Sequence, residues 1–220
     1  MSHLQLRAAD GHVFSAYQVK PDGRPRGAVV VIQEIFGVNS HIQRVAEQYA
    51  AAGYLAIAPP LFDRQHKGVE LGYDPAGVQQ GMAYMTEADD AGVLADVNAA
   101  VDAVRHAGNV GIVGYCWGGR VAYLACCRSS LKAGIAYYGG GIAQLLGQKP
   151  RCPMMFHFGE QDSHIPLSDV EAIRKAIPQG TYHLYTAGHA FNCPERASYD
   201  AASAHLAFSR SIEFFRKHLG

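Results

Sequence analysis

Apolar residues in this chain fall into short unbroken runs, separated by stretches with helical spacing. Residues 28–33 read Ala-Val-Val-Val-Ile-Gln, the kind of run carried by a strand buried on both faces of a parallel sheet. Residues 54–58, 110–115, 133–138, 154–158 and 181–186 predict further strands of the same type. Between them, Ile42, Val45, Ala46 and Tyr49 repeat at helical spacing, as do Val93, Val97, Ala100, Val101 and Val104. Ser40 can cap the first of these helices and Gly53 can end it. Residues 117–127 and 169–177 predict two more helices, and Phe208, Ile212 and Phe215 share one face of a closing helix that ends near Leu219. At the start, residues 3–8 and 12–20 predict a strand pair turning at Asp10-Gly11, followed by a polar loop at 21–27. Strands alternating with helices predict an α/β domain, with a mostly parallel central sheet of about eight strands and helices on both faces.

One segment breaks this rhythm. Residues 59–90 are rich in Gly, Pro and Gln and weakly periodic, with a short helix predicted near 78–85. Long insertions in compact domains carry function or are disordered, so this one is expected to be a lid over a site. Otherwise residues 1–220 read as a single domain, long enough to bury a substantial core.

Charge narrows the partners. Nineteen Lys and Arg balance nineteen Asp and Glu, and charged residues make up only 17% of the chain. Without a dense basic cluster, neither nucleic acid nor an anionic membrane is expected as a partner. No apolar run is long enough to span a bilayer, and residues 1–6 lack the pattern of a signal peptide, so a cytoplasmic protein is expected. Five cysteines without framework spacing fit a reducing compartment. A monomer or small homo-oligomer is expected.

The candidate chemistry centres on Gly114-Tyr115-Cys116-Trp117-Gly118-Gly119, between a predicted strand and a predicted helix. This is a nucleophile elbow, with sulfur in place of the usual serine hydroxyl. Cys126, Cys127 and Cys152 lack that context and read as small buried hydrophobes. His189, after Gly188 and beyond the last predicted strand, is the candidate base; His157 and His183 lie inside strands, and His164 is its rival in a loop. Asp162 follows a core strand and precedes His189, giving nucleophile–acid–base order, with Glu160 and Asp169 as alternatives. The backbone N–H groups of Trp117 and Ile35 are candidate oxyanion donors. Glu34 ends the first long apolar strand between apolar flanks, and a carboxylate there would hold the resting cysteine as a thiol.

These motifs together resemble the dienelactone hydrolase family of α/β-hydrolases. The resemblance rests on Gln33-Glu34-Ile35-Phe36-Gly37, the elbow, the turn from Gly159 to Asp162, and Gly188-His189-Ala190-Phe191, and it covers nearly the whole chain. It implies a Cys116–His189–Asp162 triad in which Glu34 first holds the thiol and then accepts its proton. The family grips a substrate carboxylate with arginines from the lid and from just after the catalytic histidine. Here Gly77-Val78-Gln79-Gln80 has none, Cys193 stands near the second position, and Arg196 follows three residues later. Each lost charge-assisted hydrogen bond is worth about 1.5–3 kcal/mol, so a neutral ester or lactone is the expected substrate. Phe36, Tyr73, Tyr84, Tyr137, Phe191 and Arg196 are the expected substrate contacts.

The sequence therefore predicts a hydrolase that opens an ester or lactone through a thioester, with no cofactor and no metal, since His-Glu-x-x-His and paired Cys-x-x-Cys are missing. The same triad could instead act on phosphotriesters or transfer acyl groups. A third reading is a hydrolase-fold ligand receptor or thiol sensor without catalysis.

Overall fold

A computed structural model describes residues 2–220. Eight strands form one sheet in the order β1-β2-β4-β3-β5-β6-β7-β8. They are β1 Ser2–Arg7, β2 Val13–Val19, β3 Ala28–Ile32, β4 Leu55–Ala58, β5 Val110–Tyr115, β6 Ala133–Tyr137, β7 Met154–Gly159 and β8 Thr181–Tyr185. The pairs β1–β2 and β2–β4 are antiparallel, and every other pair is parallel. β3, β4, β5, β6 and β7 are buried along their whole length, which is why they read as unbroken apolar runs rather than alternations.

Six helices cover the sheet: α1 Ser40–Ala51, α2 Pro75–Glu87, α3 Asp90–Val104, α4 Trp117–Arg128, α5 Leu167–Ala176 and α6 Ala201–Leu219. On one face Tyr49 of α1 meets Phe208 and Phe215 of α6 edge-on. The other face carries α3 and α4, which pack on each other. The cap of α1 is Asn39 rather than Ser40; its side chain accepts from the N–H of Ile42. Asn caps as well as Ser does, and Ile42, Val45, Ala46 and Tyr49 are buried as their spacing predicts.

The segment 59–90 is more ordered than its sequence suggests. α2 is longer than the predicted 78–85, because Asp74 caps it and Pro75 occupies its first position. The segment is also anchored at its start. Asp96 of α3, fully buried, accepts from Nε and Nη2 of Arg64 at 2.8 and 2.7 Å and contacts His12 Nδ1 at 2.9 Å. Arg64 also bonds Asp10 in the β1–β2 turn. Gly37, in the exit loop that leaves β3 (residues 33–39), bridges Glu70, and a Cβ on Gly37 would lie 1.8 Å from the Val69 carbonyl oxygen.

Chain order reverses between β3 and β5: from β3 the chain goes out to β4, then returns past β3 to β5. The crevice beyond the carboxyl ends of these two strands is where open α/β sheets bind ligands. β3 leads there to Glu34 and β5 to Cys116.

Candidate active site

The turn from β5 to α4 is strained. Cys116 has φ 54° and ψ −121°, a region that side-chain-bearing residues avoid. A Cβ on Gly114 would lie 1.8 Å from the Gly118 carbonyl oxygen, and one on Gly118 would lie 2.3 Å from that of Gln33. Both glycines are therefore required by close backbone approach. The Cys116 N–H donates to the Tyr137 carbonyl at 3.0 Å, fixing the elbow to β6.

The structure brings Cys116, His189 and Asp162 together. Cys116 Sγ lies 3.1 Å from His189 Nε2, and His189 Nδ1 lies 2.8 Å from Asp162 Oδ2. The other oxygen of Asp162 accepts from the N–H groups of His164 at 2.8 Å and Ile165 at 3.2 Å, which locks the buried carboxylate. Burial opposes charge on His189, but the bonds to Asp162 and Cys116 outweigh it and raise its pKa to about 10. Ser198 holds the backbone carbonyl of His189 from behind.

The rivals take no part in the relay, although His164 lines the same cavity. His157 is fully buried between Tyr185 and Ser211, and its burial pushes its pKa well down. His164 is exposed, with its ring 4.7 Å from that of His189. Glu160 accepts from Thr186 at the surface, and Asp169 lies in the first turn of α5.

Glu34 is almost completely buried, at 1% exposure. Burial raises its pKa to about 7, against the opposing pull of His189, Arg196 and the Tyr73 hydroxyl. Tyr73 donates to Oε2 of Glu34 at 3.4 Å. The Cys116 sulfur faces His189, and among the described residues no hydrogen bond joins it to Glu34.

A cavity of about 720 Å³ lies over these groups. Glu34, Ile35, Cys116, Trp117 and His189 line one side, and Val78, Met82 and Met85 of α2 line the other. Trp117, the first residue of α4, has no carbonyl four residues back in the helix to bond, and Ile35 sits on the same wall. α2 approaches so closely that a Cβ on Gly81 would lie 2.1 Å from the Ile35 carbonyl oxygen.

The expected substrate contacts divide. Phe36 and Arg196 line the cavity. Tyr137 and Phe191 do not, because both are wholly buried and the Tyr137 hydroxyl is bonded to Ser211. Tyr73 and Tyr84 stand behind the wall, Tyr73 against Phe36 and Tyr84 against Phe62, which stacks on Trp117. An arginine does enter: the Arg196 guanidinium lies 5.6 Å from the ring centres of Phe36 and of Tyr73. Arg120 lines the far side, paired bidentately with Asp90 at 2.6 and 2.9 Å. Sequence reasoning missed Met82, Met85 and Arg120, although Val78, Met82 and Met85 carry a helical spacing that marks one face.

The dienelactone hydrolase family model matches residues 14–219. The chain belongs to the dienelactone hydrolase family. As a member it is an α/β-hydrolase and a hydrolase of esters or lactones. It is 35% identical to the carboxymethylenebutenolidase of Pseudomonas putida over 225 residues, covering 96% of this chain and 94% of that one. A provisionally named dienelactone hydrolase from Klebsiella pneumoniae superposes with a TM-score of 0.85 at 30% identity, over 99% of this chain and all of the other. The Pyrococcus furiosus esterase Pf2001 shares the fold at a TM-score of 0.74 and 14% identity, over 100% of this chain and 93% of that one. Among the described residues, no helix is long and apolar enough to cross a membrane.

Proposed function

We propose that this hydrolase opens a carboxylic ester or lactone through a thioester at Cys116. The observation that carries this reading is the relay Cys116–His189–Asp162, with spacings of 3.1 and 2.8 Å. Those spacings allow proton transfer without rearrangement. Sγ attacks the carbonyl carbon as the thiolate of an ion pair with protonated His189, whose raised pKa of about 10 keeps the ring charged at neutral pH. The carbonyl oxygen gains charge beside the N–H groups of Ile35 and Trp117, which stabilise it as it forms. The tetrahedral intermediate collapses when the carbon–oxygen bond to the leaving group breaks and His189 protonates that oxygen. In a lactone the leaving oxygen stays on the acyl chain. His189 then takes a proton from water, the water oxygen bonds to the carbonyl carbon, and the carbon–sulfur bond breaks.

Asp162 would hold the ring and stabilise its charged form. Glu34, half protonated near neutral pH, can exchange a proton inside the cavity as the thiol turns toward substrate. With α2 contributing apolar side chains, substrate would be held largely by apolar contact, and Arg196 could engage one anionic substituent on the exit-loop side.

The test is rapid mixing with an aryl ester, followed by mass spectrometry of the quenched protein. A burst of phenol equal to the enzyme concentration, with one acyl group on Cys116, is expected. Cys116→Ala should abolish both. No burst and no turnover across a panel of aryl esters and lactones, or an acyl group on another residue, would overturn the proposal.

A further inference from the structure

Behind the cavity wall, Glu34, His41 and Cys193 converge from three separate segments. One donor atom from each lies within 4.8 Å of the others, and all three residues are buried. The cluster is poorly satisfied as it stands. His41 Nε2 is buried with no partner among the described residues, and a buried hydrogen bond is costly to leave unmade. The Cys193 thiol donates to Glu195 at a long 3.4 Å and also meets the Tyr73 hydroxyl. That same Glu195 oxygen lies 4.0 Å from His41 Nδ1, so a second carboxylate stands at the edge of the set.

We propose that Glu34, His41 and Cys193 form a binding site for a thiophilic divalent cation, Zn²⁺ being the best fit, with Glu195 as fourth ligand or orienting partner. Imidazole, thiolate and carboxylate are the donors that Zn²⁺ takes tetrahedrally, at about 2.0–2.3 Å. Such bonds set donor–donor separations of about 3.3–3.8 Å. The set therefore has to contract by at most about 1.0–1.5 Å. Binding releases the thiol proton of Cys193 and any proton on Glu34 to solvent. Burial holds Cys193 up to about 12, and a coordinated cation reverses that preference. His41 needs no deprotonation, since burial depresses it to about 4. Three anionic donors then face two positive charges on the ion and that of Arg44, which is bonded to Glu195. Entry is from a surface groove of about 190 Å³ on the α1–α6 side, floored by His41 and bordered by Arg44, Asn192 and His205. A motif search misses the site because its ligands lie 7 and 152 residues apart in sequence (34 to 41, then 41 to 193).

Glu34 lines the catalytic cavity as well, so an occupied site removes it from proton exchange with Cys116. The consequence for turnover rests on the reading given under Proposed function; binding does not.

The probe is Co²⁺, which reports thiolate coordination through a near-ultraviolet charge-transfer band. Cys116→Ala protein is titrated so that the catalytic thiol cannot contribute. One Co²⁺ per chain with that band, displaced by Zn²⁺, is expected. In Cys116→Ala/Cys193→Ser the band should vanish. His41→Gln in the Cys116→Ala background should weaken binding by more than the 10- to 100-fold typical of losing an outer partner of a ligand. Thermal melting checks folding: Zn²⁺ should raise the Tm of Cys116→Ala and leave that of Cys116→Ala/Cys193→Ser unmoved. A band that survives loss of Cys193, or no Co²⁺ binding to folded Cys116→Ala protein, overturns the site. Wild-type enzyme should lose esterase activity on Zn²⁺ loading, and Cys193→Ser should resist. Binding without loss of activity would uphold the site and overturn the role given to Glu34.

Discussion

At the scale of single residues, the site is a set of groups kept in the protonation state their task needs. Asp162 holds His189 Nδ1 at 2.8 Å, leaving Nε2 to face the sulfur. Replacing Asp162 with Asn should lower kcat by about a thousand- to ten-thousand-fold with the fold intact, measured with an aryl ester. A ligand receptor would bind as before, so the same variant separates the two readings. Glu34 carries a cost. Its pKa is about 7 in the folded protein and ordinary, near 4.5, when unfolded. A carboxyl raised on folding is neutral in the native state at low pH, and its burial penalty grows as pH rises through that window. Glu34→Gln should therefore become more stable relative to wild type by about 2–3 kcal/mol between pH 5 and pH 8, read from urea midpoints. The three residues proposed for the relay could be picked out in the sequence because glycines and chain order mark them. Tyr137 and Phe191 were not, since an aromatic beside a site and an aromatic beneath it have the same one-letter neighbourhood. Arg196 was named as a contact while the pocket was expected to favour neutral substrates. Only the packing of its guanidinium near Phe36 and Tyr73 reveals a cation in the wall.

At the scale of elements, α2 and the exit loop act as one body. Gly81 lets the helix rest on Ile35, the residue whose N–H is proposed to receive the oxyanion. Gly81→Ala puts a methyl group 2.1 Å from a backbone oxygen that cannot swing aside. The helix or the loop must move, and turnover should fall about tenfold or more while Tm drops, measured on one preparation. Strand positions were legible because burial on both faces leaves continuous apolar runs. The length of α2 was not, because only Gly77 and Gly81 of its thirteen residues are buried and the stripe that would announce it is thin. Asn39 in place of Ser40 at the cap of α1 is a shift of one residue between two equally good caps, which local sequence does not decide.

At the scale of the whole molecule, the interior carries histidines that it keeps neutral. His41 is held near 4 and His157 well below its ordinary range, both mainly by burial. A histidine depressed on folding lends stability that is complete above about pH 6.5 and lost as pH falls, down to about 4 for His41. Glu34 titrates in the opposite sense over much of that range and offsets one of the two. Stability should fall between pH 6 and pH 4.5, and that of Glu34→Gln should fall more steeply. Urea midpoints at three pH values decide it; a flat profile in both proteins would contradict the assignment.

His189 hangs just beyond β8, the outermost strand of the sheet, whereas Cys116 stands at its centre. During synthesis the sulfur emerges long before its base does, and it stays unpartnered until the rim is laid down. Under the proposed mechanism the chain is silent toward esters until the residues after β8 are made, because His189 lies beyond that strand.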